Sequence, residues 1–513
     1  MLRPALALLA GLAASALFWA WQGRALDVPG GLDPEHPLEC VSYTPFRAHE
    51  SPHDFRVERA RVAEDFSRFG GRVACIRIYS MEGMELVPGV AREHGLSLIA
   101  GAWIGRDEEN NAREIAALIA MARANPDVVR AVLVGNEVLL RRERTAAQML
   151  AYIAQVKAAV EQPVSYGDVW EFWLQNPSMA GGVDFLTIHL LPYWENEPTP
   201  VDRAVEAVAH ARAEIAAAFP GKAVFIGETG WPSEGRRREA AQPGRVEAAR
   251  FLRGFVARAT QEGWHYNLIE AFDQPWKRGQ EGAVGGYWGL FDAGRVDKGI
   301  LTGPVSDLPR WRECLFASLG LWLALALLAS LRSPAGLLLA AAGASAMVFH
   351  LHQMLLYSRG TAESLWFLAL ALCSLAATAL IARGGGAWGG RVRDGVLLLA
   401  LALAAVEMLG LAVAARYRHF PIAPFLLPAV ALWWLRLQEP LARARARALG
   451  LLLLGCVPLV LWQETLLNTQ ALIWCALAVL MGAGTLREPA QLAAGREGPG
   501  TQASSASTAA GAP

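Results

Sequence analysis

The sequence predicts a (β/α)8 barrel of the TIM type followed by an all-α, multi-span membrane region, and three observations carry that reading. Between residues 38 and 310 short apolar runs alternate with helical patterns, which argues a parallel sheet whose strands are connected through helices. Eight such runs fall in that stretch, a length that suits one closed barrel better than an open sheet. From 314 to 486 the chain is almost continuously apolar, broken by Arg, Gly and Pro, as a bundle of spans would be.

Residues 1–24 hold an apolar run, Leu2 to Trp21, with a leading Arg3 and a following Arg24. Bulky Phe18-Trp19-Ala-Trp21 stands where a leader would carry small residues for cleavage, so an uncleaved N-terminal anchor is expected. Residues 25–37, rich in Pro, Gly and acid, read as a linker that lifts the next domain off the membrane. Strands are expected at 39–46, 73–79, 96–103, 131–138, 164–169, 185–191, 223–227 and 266–272, with helices at 56–69, 112–124, 146–160, 201–218 and 244–261. A doubly wound sheet would show a Gly-rich phosphate turn after its first strand. That position reads Tyr43-Thr-Pro-Phe-Arg-Ala instead.

The domain at 314–486 is expected to span the membrane about seven times, at 315–331, 335–357, 364–381, 395–415, 420–435, 448–462 and 466–486, with the sixth span short. With the N-terminus inside, the Arg-bearing loops at 383–393 and 436–447 fall on the cytoplasmic side and the barrel falls outside, although Arg416 and Arg418 run against the rule. Glu407 lies mid-span, where an ionisable residue is a functional candidate. The tail 487–513, rich in Ala, Gly and Ser, is expected to be disordered.

Forty-seven basic residues balance 47 acidic ones, which gives no case for nucleic acid. Arg236-Arg-Arg238 reads as a solvated loop. Cys40 and Cys75, in successive strands, are expected to be buried thiols, and the other four cysteines look like packing residues. His350 and His352 are two apart and would point to different faces of a helix, so no metal site is expected, and no cofactor either.

The chemistry lies at two strand ends. Ala131-Val-Leu-Val-Gly-Asn-Glu137 and Ala223-Val-Phe-Ile-Gly-Glu228 each run from a buried strand into a carboxylate, at the barrel face where active sites sit. Two carboxylates so placed are what acid/base cleavage of a glycosidic bond requires. The stretches Val134-Gly-Asn-Glu137 and Ile226-Gly-Glu-Thr-Gly-Trp-Pro-Ser233 resemble the two signatures of glycoside hydrolase family 17, the β-1,3-glucanase family. Val73-Ala-Cys-Ile-Arg-Ile-Tyr79, Pro192-Tyr-Trp194 and Ala271-Phe-Asp-Gln-Pro-Trp-Lys277 add to the resemblance, which covers roughly 38–298.

That resemblance implies Glu137 as acid/base and Glu228 as nucleophile of a retaining enzyme. Gln274 stands where many members have an acid, and the Gln-Pro-Trp-Lys form is similar to bacterial, membrane-bound members linked to periplasmic β-glucan synthesis. The negative Glu228 is expected to raise the pKa of Glu137. Asn136 is suited to hydrogen-bond the sugar 2-hydroxyl, Tyr79 the nucleophile, and Lys277 a hydroxyl or the charge balance of the site. Tyr193, Trp194, Trp231, Trp276 and Trp288 are expected to contact substrate, with Trp103, Trp170 and Trp173 sharing subsite and core duties.

The expected activity is that of a β-1,3-glucan glycosidase or transglycosylase on the periplasmic side of a bacterial inner membrane. Its partners would be β-glucan and the lipid bilayer, with any glucan synthase or export partner left open. Two other classes are weighed. A sugar-nucleotide polysaccharide synthase would need acidic metal-binding motifs on a cytoplasmic domain, and those loops are short and basic. A non-catalytic glucan sensor would have no need of both carboxylates.

Overall fold

Eight parallel strands close in chain order: β1 (Leu38–Ser42), β2 (Val73–Arg77), β3 (Ser97–Ala102), β4 (Val129–Asn136), β5 (Val164–Val169), β6 (Leu186–His189), β7 (Val224–Thr229) and β8 (His265–Leu268), with β8 pairing back to β1. The computed structural model describes residues 2–487 apart from 34, 330, 332, 385–388, 415–417 and 436. The strands are apolar runs because both faces are covered. Side chains alternate along each strand, so Val41, Ile76, Leu98 and Val132 join the large cluster with the helices, while Cys40, Cys75, Ile99, Leu133 and Phe225 form a small cluster of their own within the barrel.

The register places Cys40 opposite Cys75, and the two form a disulfide. The expectation of buried thiols is corrected: adjacent parallel strands bring two same-face cysteines within bonding reach. Helices at Arg59–Ser67, Glu108–Ala124, Ala146–Lys157, Val201–Ala218 and Arg245–Glu262 stand where the periodicity put them. Thr145 and Gln148 start the third of these with a reciprocal capping box. Val87–Glu93 and Trp170–Gln175 are additional and too short to show a period. After β8 only short helical turns follow, at Pro275–Lys277, Arg278–Glu281 and Ala283–Gly286.

The C-terminal region is helical: Trp311–Leu328, Pro334–Tyr357, Thr361–Ala382, Gly390–Ala414, Ile422–Trp434, Pro440–Glu464 and Thr469–Leu486. Among the described residues, seven helices are long and apolar enough to cross a membrane, the N-terminal helix included. The short one is Ile422–Trp434, of 13 residues. The helix expected to be short instead begins at Pro440, because Ala and Arg are good helix formers and carry it through Ala442-Arg-Ala-Arg-Ala-Arg447. Glu407 accepts a hydrogen bond from the Trp366 indole of the neighbouring helix. Arg416 and the tail beyond Arg487 lie outside the described residues.

Residues 25–37, expected to hold the barrel away, are laid along it instead. Leu26 N donates to Val305 O at 2.8 Å and Leu32 N to Leu301 O at 3.0 Å. Buried Arg253 donates to Val28 O, Ile300 O and Gly303 O at 2.7, 2.9 and 2.8 Å, tying both crossing segments to one helix. The loops that follow β7 and β8 rest on the bundle. Arg236 pairs with Glu464, Asn468 Nδ2 donates to Arg237 O at 3.2 Å, and Tyr287 Oη and Arg278 Nη1 donate to Leu356 O at 2.6 and 3.0 Å. Arg236 is therefore a buried, paired cation rather than part of a solvated loop.

Candidate active site

Glu137 and Glu228 meet at the C-terminal mouth of the barrel. Glu137 follows β4, where Gly135 has φ +86° and Glu137 itself φ +53°, a left-handed conformation that costs a residue with a Cβ. Glu137 N donates to Gly167 O at 2.7 Å, which holds the turn to β5. Glu228 lies in β7 with its side chain 6% exposed, and Glu137 is more open at 24%. Between them stands His189, at the end of β6 and fully buried. Its Nδ1 is 2.9 Å from Glu137 Oε1 and its Nε2 3.7 Å from Glu228 Oε1.

Arg77, from the end of β2, braces this group from below. Its guanidinium donates to Asn136 Oδ1 at 2.6 Å and to Gly227 O at 2.7 Å, and lies 3.6 Å from Glu228 Oε1. A side chain at position 227 would meet Thr187 Cγ2 at 2.3 Å, so only glycine lets β7 sit this close to its neighbour. Arg141, stacked on Trp103 at 4.2 Å, donates to Asn136 O and Ile104 O beside Glu137. Burial alone would raise Glu137, but the hydrogen bond and charge of His189, with Arg141 and Arg77, outweigh it and hold the carboxyl below its usual value. The expected rise from Glu228 is therefore not found in the free site, where cations surround the pair.

The two carboxylates open into a cleft of about 530 Å³ lined by Glu171, Phe172, Trp194, Glu195, Lys277, Glu281 and Trp288, among others. The liganding atoms of Glu137, His189 and Glu228 all lie within 4.8 Å of one another. Such a trio could hold a metal ion, but Arg77 already supplies positive charge at Glu228, and a cation there would face that guanidinium.

Residues 40–289 match the family model described as the BtgE/BtgC glycoside hydrolase domain. Over those residues the barrel is similar to that glycoside hydrolase domain. Curated relatives include a "Glucan 1,3-beta-glucosidase" of Arthroderma benhamiae, 28% identical over 47% of this chain and 84% of its own length, and one of Schizosaccharomyces pombe, 27% identical over 42% and 70%. A "Probable beta-glucosidase btgE" of Aspergillus flavus is 30% identical, and the match spans 42% of this chain but only 36% of that protein. Among solved structures, an active-site mutant of Rhizomucor miehei beta-1,3-glucanosyltransferase in complex with laminaritriose covers 52% of this chain and 97% of its own, at 24% identity and TM-score 0.46.

Within the barrel the other expected residues divide. Trp194, Trp288 and Lys277 line the cleft. Lys277 Nζ lies 2.9 and 3.0 Å from the two Glu270 oxygens; burial pushes Glu270 up to about 7 despite that partner. Asn136 is turned to Arg77, and Tyr79 hydrogen-bonds Ser42 Oγ at 2.6 Å instead of the Glu228 carboxylate. Both lie beneath the cleft rather than on its wall. Trp231 is buried, donates to Gln242 O and packs on Phe251, and Tyr193 donates to Arg236 O, so these two belong to the core. Trp276 is bound to Gln274 Oε1 at 3.0 Å and does not line the cleft. Trp173 is core, donating to Thr187 O at 3.0 Å.

Sequence reasoning passed over His189, Glu281 and Glu195. Leu186-Thr-Ile-His189 reads as a buried strand, and the signal was only that a histidine ends it at the face where Glu137 and Glu228 end theirs.

Proposed function

We propose that this chain is a membrane-held, retaining β-1,3-glucan glycosidase that transfers glucosyl units to a sugar acceptor as well as to water. The observation that carries this is the spacing of Glu137 and Glu228, whose nearest oxygens lie within 4.8 Å at the mouth of an aromatic-lined cleft. Double displacement needs carboxyls about 5 to 5.5 Å apart, whereas inversion leaves room for a water at about 6.5 to 9.5 Å. Glu228, set low and beside Arg77, attacks the anomeric carbon as a carboxylate. Glu137, the more open of the two, gives its proton to the departing oxygen. Once the ester forms, the negative charge at Glu228 is gone and Glu137 takes a proton from the acceptor.

His189 Nδ1 orients Glu137 for both transfers. Trp194 and Trp288 border the cleft, and Trp194, the less buried of the two, offers the ring on which an acceptor sugar is held ahead of water. Seven long apolar helices support an inner-membrane location, with the barrel in the periplasm, and the Cys40–Cys75 disulfide suits that oxidising compartment.

The test is product analysis of the full-length protein in detergent with a β-1,3-linked oligoglucoside. Longer or newly branched sugars beside shorter ones are expected, and Glu137→Gln and Glu228→Gln each lower turnover by about a hundredfold to ten-thousandfold. Shorter sugars alone would leave a hydrolase, and no turnover would sink the catalytic reading. A membrane-impermeant maleimide on intact cells gives the sidedness: Val296→Cys reacts, and Ala444→Cys reacts only after lysis.

A further inference from the structure

The turn that carries Glu137 is bound to β5 at two points. Glu137 N donates to Gly167 O at 2.7 Å, and two residues on, Leu139 N donates to the hydroxyl of Tyr166 at 2.9 Å. Tyr166 Oη in turn donates to the Asp168 carboxylate, whose other oxygen accepts from Val169 N at 2.8 Å. Alternation along β5 explains the arrangement. Tyr166 and Asp168, two apart, share the face turned to the helices, where Tyr166 joins the large apolar cluster. Gly167 between them faces the barrel interior. A side chain there would meet His189 Nε2 at 3.1 Å and Asn136 Oδ1 at 3.3 Å, so glycine leaves room for both.

The two side chains are sealed from water: Tyr166 is 1% exposed and Asp168 fully buried. Burial pushes the Asp168 carboxyl up to about 6, against the hydrogen bond from Tyr166 and the charge of His189, so at neutral pH it is an ionised acceptor. Burying a carboxylate is costly, whereas an amide such as Leu139 N needs only a carbonyl or a water to be satisfied. What the carboxylate adds is a fixed direction. It holds the phenol proton, which leaves a lone pair of Tyr166 Oη aimed at Leu139 N, and the ring packs on Trp173 with centroids 5.8 Å apart. That fixed point matters because Glu137 sits at φ +53°, a conformation that a residue with a Cβ keeps only where its surroundings over-determine it.

We propose that Tyr166 and Asp168 are positioning residues for Glu137, clamping its turn so that the carboxyl meets the glycosidic oxygen as the proton is given up. The inference rests on the reading of Glu137 as acid/base given above. Neither side chain lines the cleft, and each acts through the backbone of residues 137–139.

The test compares two donors on the full-length protein in detergent. One is a β-1,3-oligoglucoside, whose departing sugar needs a proton; the other is the 2,4-dinitrophenyl glycoside of the same oligoglucoside, whose phenolate leaves without one. Tyr166→Phe removes the hydroxyl and keeps the ring. It is expected to lower kcat/KM about a hundredfold on the oligoglucoside and by less than about threefold on the aryl glycoside. Asp168→Asn, which keeps an acceptor for the phenol, is expected to show the same bias at about tenfold. The ratio of the two kcat/KM values does not depend on the folded fraction, and Asp168→Asn supplies the reading should Tyr166→Phe yield no active protein. Equal losses on both donors, or no loss on either, overturn the positioning role. Glu137→Gln is the control. If it too shows no bias between the donors, the acid/base reading fails and the positioning role goes with it; bias in Glu137→Gln without bias in the other two variants overturns the positioning role alone.

Discussion

At the scale of single residues the proposal turns on which carboxylate becomes covalent. A 2-deoxy-2-fluoro β-glucoside, which slows release of the intermediate, is expected to add its mass to the peptide carrying Glu228 and not to that carrying Glu137; label on Glu137 would reverse the roles. His189 supplies the second prediction. It holds Glu137 low, so His189→Gln is expected to move the basic limb of the kcat/KM profile to higher pH, since a proton donor of higher pKa stays protonated longer. An unmoved limb would mean that His189 only packs. The carboxylates were legible in the sequence because each ends its own apolar run. Their environment was not, because His189 reaches Glu137 across 52 residues through barrel closure, and inside Leu186-Thr-Ile-His189 it looks like core. Tyr79 and Trp231 read as ligands for the converse reason: a residue beside a motif need not face the cleft the motif builds.

At the scale of elements, chain that is neither strand nor helix is pinned to the barrel's outer wall. Arg253 satisfies three carbonyls of the segments that enter and leave the barrel, and Arg253→Met would leave them buried and unmet. A loss of roughly 3 kcal/mol is expected, read as a lower Tm by tryptophan fluorescence. The loops over the cleft respond to pH. Burial pushes Glu195, Glu270 and Glu281 each up to about 7, so between the ordinary carboxyl range and that value the folded chain binds more protons than the unfolded one. Their contribution is complete at acid pH and is lost as pH rises through about 7, and the Tm of the barrel is expected to fall from pH 5 to pH 8. A Tm that rises over that window would refute the assignment. Apolar runs located all eight strands, with ends wrong by a few residues where a run continues into a loop, as at 43–46. The helix Val87–Glu93 escaped notice because Pro88 and Gly89 stand in its first turn.

At the scale of the whole molecule, the docking of barrel on bundle could not be read from the sequence, because Arg236 meets Glu464 from 228 positions away. Three neighbouring arginines with no visible partner read as a solvated loop. The arrangement predicts that Arg237→Cys and Gln470→Cys in one full-length chain are joined by a short thiol-specific bridge without loss of turnover, because Arg237 N already lies 3.5 Å from Gln470 Oε1. Failure to bridge would separate the two halves. The loop concerned begins just after Glu228, and its far side is braced by Glu464, Asn468 and Gln470. Recombination that swaps one barrel for another at residue 310 would therefore split a loop from the helix ends that shape it. The unit that has to be inherited together is not the barrel but the barrel with that remote strip of sequence.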